Sequence, residues 1–384
     1  MSDNPNIPGR GTLAVHAGVE PDPTTGAIMT PVYLTSTYVQ DGVGNHKGFE
    51  YSRTHNPTRS ALQDAFAALE HGKHGFAFAS GLAAMDTLLK TLKPGDEVIS
   101  TNDLYGGSYR LFTTVFAHYG ITFHFVDLSD LDAVQAALNE HTRLVWIETP
   151  TNPMMQITDI AAVANLVKGS EARVVVDNTF ASPMLQNPLD LGADMVMHSV
   201  TKYLGGHSDI LGGAVVGSKD LIAEIFQRKI HLGAAPDPHS CYLLERGMRT
   251  LDVRMPRICE NAQTLAQRLE AHDAIERVYH SKLESHPDYE VAQRILPNGS
   301  GMIAFVVKGG DPAALAFMRK LNIIYEATSL GGVESLIECP FNSSHGAVPE
   351  DVRVAAGVVP GFVRLSIGIE DVEDLWADIE QALP

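Results

Sequence analysis

Seven short apolar runs, several of them separated by helical stretches, restrict what this chain can fold into more than any other feature. They are FAFAS (76–80), DEVIST (96–101), ITFHFVD (121–127), RLVWIET (143–149), ARVVVDN (172–178), DMVMHS (194–199) and GGAVVG (212–217). Helix-like stretches such as LAAMDTLLKTL (82–92) and DIAAVANLVKG (159–169) lie between them. Just before the first run, SALQDAFAALEHG places Ala61, Leu62, Ala65, Phe66 and Leu69 on one helical face, and Gly72 is a good stop. Continuous apolar strands alternating with helices imply an α/β fold whose mostly parallel sheet is covered on both faces. Ligands of such sheets bind at the carboxyl ends of the strands.

The texture changes twice along the chain. Residues 1–48 are rich in Gly, Pro, Thr and Asn, and read as an extended arm lying on another subunit. Residues 49–240 hold the seven runs. From 241 to 384 longer helices, CENAQTLAQRLEAH and DPAALAFMRKLN, accompany two more strand-like runs, MIAFVVKG and FVRLSIG, as expected of a smaller α+β domain. A length of 384 residues suits about two to three domains.

With 46 acidic and 28 basic side chains, the formal charge is -18, which argues against nucleic-acid and anionic-membrane surfaces. Cys241, Cys259 and Cys339 are odd in number and far apart, so they suit a reducing compartment rather than a disulfide framework. The first ten residues contain no apolar segment, and no apolar run is long enough to span a bilayer. The expectation is a cytoplasmic protein. His71 and His74 lack a third ligand at suitable spacing, so no metal site is expected. Gly299-Ser300-Gly301 and Gly9-Arg10-Gly11 match a loose dinucleotide fingerprint, but neither lies between a strand and a helix.

The strand ends carry the chemistry. FAFAS runs into Ser80-Gly81-Leu82 at a helix start, where free amides can hold an anion. DEVIST is followed by Tyr105, RLVWIET ends at Glu148 and leads to Asn152, ARVVV ends at Asp177, and DMVM leads to Ser199, Thr201 and Lys202. A lysine, an aspartate, a tyrosine and a glycine helix start together suit pyridoxal phosphate. The amine bonds the aldehyde, and the carboxylate keeps the ring nitrogen protonated so that the ring takes up electrons. Tyr105 can stack on the ring. Ser199, Thr201 and the Gly81 and Leu82 amides can hydrogen-bond the phosphate.

Eight motifs then occur in unbroken order: GFEYSRTHNPTR, AFASGLAAM, LYGGSYR, ETPTNP, VVDNTF, HSVTKYLGGHSD, SLGGVESL and VRLSIGIED. Over nearly the whole chain this set resembles the cystathionine γ-lyase and γ-synthase family, which also includes cystathionine β-lyase, methionine γ-lyase and O-acetylhomoserine sulfhydrylase. The resemblance implies the fold type I architecture of aspartate aminotransferase-like enzymes. It implies Lys202 as the lysine that binds the cofactor covalently, Asp177 as the partner of the ring nitrogen, and Tyr105 as a ring-stacking residue that assists proton transfer. It also implies that Tyr51 and Arg53 reach a neighbouring subunit's phosphate, in a tetramer built from two dimers. Asn152, Ser329 and Arg364 match positions that hold the substrate α-carboxylate.

Glu50 and Arg110 match the acid and arginine that serve the distal end of cystathionine, whereas methionine γ-lyases carry a cysteine at the position of Gly107. These points favour γ-elimination on L-cystathionine, giving cysteine, 2-oxobutyrate and ammonia, with desulfhydration of cysteine or homocysteine as a side activity. γ-Synthase, β-lyase and methionine γ-lyase activities stay open, as does a non-catalytic relative that binds the cofactor. Two stretches depart from the family pattern. Ala327-Thr328-Ser329 stands where AES is usual, and Asn342-Ser343-Ser344-His345-Gly346 stands where an MTHA-like stretch is usual.

Overall fold

In the computed structural model the described residues are 8–340, 354 and 357–384, so the 342–346 departure lies outside them. Each of the seven apolar runs forms a strand: β1 (His74–Phe78), β2 (Glu97–Thr101), β3 (Thr122–Val126), β4 (Thr142–Glu148), β5 (Arg173–Asp177), β6 (Met195–Ser199) and β7 (Gly213–Gly217). They build one sheet in the order β1-β7-β6-β5-β4-β2-β3. Strands β3, β2, β4, β5 and β6 run parallel, while β7 lies antiparallel to both β6 and β1. The sheet is thus mixed but mostly parallel, as the run pattern implies.

The central strands show why continuous apolar runs were needed. Val174, Val175 and Val176 of β5 are all buried, which for a β-branched residue is worth about 1.5–3 kcal/mol each. One set packs with Ile99, Val145 and Ile160, the other with Leu88, Trp146 and Met197, so helices cover both faces. The covering helices begin where the sequence provides caps. Asn56 accepts from the Thr58 amide at 3.1 Å ahead of the helix Pro57–Leu69. Ser80 caps Gly81–Leu89 through the Ala83 amide at 3.1 Å, and Asp159 caps Ile160–Val167 through Ala162 at 3.1 Å.

A second sheet follows, ordered β10-β11-β12-β9-β8: β8 (Ile275–Tyr279), β9 (Met302–Val307), β10 (Tyr325–Glu326), β11 (Leu336–Glu338) and β12 (Phe362–Ser366). MIAFVVKG and FVRLSIG are its β9 and β12, the two longer strands buried along their whole length. The other three escape the sequence because β10 and β11 are very short and β8, IERVY, exposes two charged side chains. The N-terminal region is less uniformly extended than its composition suggests. It holds a helix, Arg10–His16, followed by a long stretch whose one isolated bridge joins Thr37 to Tyr51. Among the described residues, no helix is long and apolar enough to cross a membrane.

Candidate active site

A cavity of about 550 Å³ opens where the carboxyl ends of β4, β5 and β6 face the second sheet. That volume lies within the usual range for a small-molecule site. Its walls carry Gly81, Leu82, Tyr105, Arg110, Glu148, Asn152, Asp177, Ser199, Thr201, Lys202, Thr328, Ser329, Glu338 and Arg364. The topology explains this gathering: parallel strands end at one edge of the sheet, and the antiparallel pair β11–β12 presents its side chains to that edge.

Lys202 follows β6 and extends into the cavity, where its Nζ donates to Ser329 Oγ at 2.7 Å. Burial and the nearby Arg364 guanidinium lower its pKa to about 8, with Glu338 opposing them. A much larger fraction of neutral amine is therefore present near neutral pH than for an ordinary lysine. Asp177 ends β5. Burial raises its pKa, while the Thr179 hydroxyl and amide, both donating to Oδ1, and the His198 charge partly offset that effect. A buried carboxyl of this kind gains most from a cationic N–H ligand.

The helix start forms a cradle for an anion. Ser80 occupies the Ala83 and Ala84 amides, leaving those of Gly81 and Leu82 without an acceptor among the described residues. A side chain at Gly81 would place Cβ 3.0 Å from Cβ of Ser199, so glycine is what lets the helix start approach that hydroxyl. Thr201 Oγ1 accepts from the Gly212 amide at 3.0 Å, which fixes the neighbouring turn. An amine, a buried acid, a stacking tyrosine and an anion cradle on one cavity wall fit pyridoxal phosphate.

Tyr105 lies directly over Gly107. A Cβ there would sit 2.2 Å from the ring's Cε1, so any side chain, including the cysteine of methionine γ-lyases, would require the ring to move. The Tyr105 amide donates to both carboxylate oxygens of Glu148, at 3.0 and 3.2 Å. Burial and the adjacent Asp177 push the Glu148 pKa well upward. Asp103 holds the following loop by accepting from the Met154 amide at 3.0 Å and from the Thr151 hydroxyl, and burial raises its pKa to about 6.

On the opposite wall Arg364 is buried. Its Nη1 donates to Asn152 Oδ1 at 2.8 Å and its Nη2 to the Ser329 carbonyl at 2.9 Å. Ser329 adopts φ 105°, a left-handed conformation costing about 1–3 kcal/mol in a residue with a side chain. In that conformation its carbonyl meets Arg364 while its hydroxyl meets Lys202.

Glu50, Tyr51 and Arg53 do not join this cavity. Glu50 lies 3.7 Å from His46, and the Arg53 guanidinium stacks 5.3 Å above the exposed Tyr51 ring. Arg110 and Thr328 do line it. Two lining acids received no role from the sequence. Glu148 had a signal, as the polar end of an apolar run. Glu338 had almost none, because β11 is only three residues long and shows no alternation.

A profile of the Cys/Met metabolism PLP-dependent enzymes matches residues 11–384. The chain is 48% identical to a cystathionine γ-lyase of Dictyostelium discoideum over 375 residues, covering 97% of each protein. It is 47% identical to a cystathionine β-lyase of Coxiella burnetii, again over 97% of each. Identity to a cystathionine γ-synthase of Mycobacterium bovis is also 47%, covering 98% of this chain and 97% of that one. The crystal structure of cystathionine γ-lyase from Lactobacillus plantarum complexed with L-serine superposes with a TM-score of 0.95 at 42% identity, covering 98% of each chain.

Proposed function

The chain belongs to the Cys/Met metabolism PLP-dependent enzyme family, and from that premise we propose that it catalyses γ-elimination on L-cystathionine, releasing cysteine, 2-oxobutyrate and ammonia. The observation that carries this reading is a second cation, Arg110, in the cavity that also contains Arg364. Cystathionine has an amino-acid group at each end. Arg364 and Asn152 suit the carboxylate of the reacting end, because a guanidinium fork matches a carboxylate. Arg110 suits the carboxylate of the distal end.

When bound, pyridoxal phosphate supplies an aldehyde that bonds an amine and a ring that takes up negative charge from the substrate. Lys202 would anchor it, Asp177 would pair with its ring nitrogen, and Tyr105 would stack on it. Gly81, Leu82, Ser199 and Thr201 would bind its phosphate. The Lys202 amine, neutral above about pH 8, takes the substrate's α-proton at Nζ and carries it onward. The Ser329 hydroxyl, 2.7 Å away, keeps that amine directed into the cavity. Tyr105, packed against Gly107 and tied to Glu148, holds its phenol beside the same space.

Tyr51 and Arg53 would complete the phosphate site of a second copy. The support is that both stand outside their own cavity while Tyr51 is exposed. Glu50, on the same segment, would then meet a distal ammonium group across the same interface.

Incubating the holoenzyme with L-cystathionine and identifying the keto acid tests the reading. 2-Oxobutyrate with cysteine is expected. Pyruvate with homocysteine would instead establish β-cleavage. If neither forms while an activated homoserine and cysteine are joined, the enzyme is a γ-synthase, whose substrates present the same two amino-acid ends.

A further inference from the structure

Glu338 is opposed to Arg364 in the register of β11 and β12, and both side chains line the cavity. Its Oε1 lies 2.7 Å from Arg364 Nη2, and both residues are almost fully buried. The arginine offered to a substrate carboxylate thus already carries a carboxylate of the protein's own. A buried pair of this kind is close to neutral overall, and its formation consumes much of what each charge would otherwise gain from a ligand. The Glu338 charge also acts on the Lys202 amine, opposing the Arg364 charge there. Glu338 is therefore within electrostatic reach of both places where the head group of an amino acid must sit.

We propose that Glu338 is a specificity-determining residue that makes the site select a zwitterionic α-amino acid over a simple carboxylate. The inference rests on Arg364 as the carboxylate site. A ligand bearing only a carboxylate brings a second negative charge beside Glu338 and is repelled. An amino acid brings its ammonium group as well, and Glu338 compensates that charge. The same bias favours departure of a product that has lost its amino group but kept its carboxylate. Discrimination by a misplaced like charge is a common route to specificity.

The test compares L-alanine with propionate, which differ only in the ammonium group. L-Alanine is titrated into the holoenzyme by following the cofactor's absorbance, and propionate affinity is taken from its competition with alanine. No turnover is needed. E338Q should bind propionate about tenfold more tightly while alanine affinity stays level or falls, since removing one buried charge relieves the repulsion of either carboxylate but also removes the attraction for alanine's ammonium group. E338D keeps the charge one methylene further back and should give an intermediate ratio. An E338Q enzyme whose propionate-to-alanine ratio equals that of the wild type overturns the proposal.

Should E338Q not fold, E338D decides alone, an unchanged ratio again being contrary. Propionate that competes with alanine in neither the wild type nor E338Q would remove Arg364 as the shared carboxylate site, and the proposal with it. Failure of the cystathionine reading appears in product analysis and leaves this titration unaffected.

Discussion

Among the described residues, two lysines are largely withdrawn from water, and they differ in what surrounds them. Lys229, on the helix Lys219–Leu232, is fully buried between Phe76 and Phe78, its Nζ 5.2 and 5.6 Å from the ring centroids. It donates to Gln63 at 3.0 Å, and burial with the nearby Arg59 charge pushes its pKa well down. Lys202, its pKa lowered to about 8, faces a cavity with a hydroxyl, a buried acid and an arginine on its walls. A lowered pKa therefore does not by itself mark a reactive amine. Space for a partner molecule, and groups to hold that partner, make the difference.

The largest effect should separate the two lysines outright. Lys202→Ala should abolish the cofactor's visible absorbance and reduce turnover by at least about a thousandfold, because covalent anchor and proton carrier vanish together. Lys229→Met, assayed alongside, should keep both within about twofold. Equal losses in the two variants would erase the distinction.

Next in size is Arg364→Ala. It removes the carboxylate fork and breaks the buried ion pair with Glu338, which typically costs about 3–5 kcal/mol of stability. Denaturant melts should show that loss, and amino-acid titration should show weakened binding in whatever protein remains folded. Arg364→Ala with R364A/E338Q in parallel sharpens the point, since the double variant should recover part of the stability.

A smaller effect concerns pH. The folded pKa of Lys202, about 8, lies below the ordinary lysine value of 10.5. The buried ammonium is thus unfavourable below about pH 8, and stability attributable to this group rises between about 8 and 10.5, where the unfolded chain binds more protons. The neutral amine is also the form that attacks an aldehyde. Cofactor uptake by the cofactor-free protein should accelerate roughly tenfold per unit of pH below about 8 and level off above it. A flat profile from pH 6 to 9 would contradict the shift. The smallest change is expected in the melting temperature of Lys229→Met, a few degrees at most, because an apolar replacement of a poorly paired buried charge is often neutral or stabilising.

The same contrast explains how much the sequence revealed. The seven runs of the large sheet were legible because parallel strands buried on both faces must be apolar throughout, as Val174 to Val176 illustrate. Lys202, Asp177 and Tyr105 were legible because strand ends are where such a sheet presents polar groups. β8, β10 and β11 left little trace, being short or half-exposed, and Glu338 was hidden with them. Glu148 stood at a strand end, but its link to the Tyr105 amide, 3.0 Å away, is visible only in the structure. The separation of Glu50, Tyr51 and Arg53 from the cavity could not be read from motif order either, because order along a chain does not say which cavity a segment faces.

In the proposed function Lys202, rather than any other buried or exposed lysine, would hold the cofactor. Reducing the holoenzyme with borohydride fixes the cofactor to its lysine, and peptide mass mapping then locates it. A single phosphopyridoxyl group on the peptide containing Lys202 and an unmodified Lys229 are expected. A label on Lys229 or on a surface lysine, with Lys202 unmodified, would contradict it.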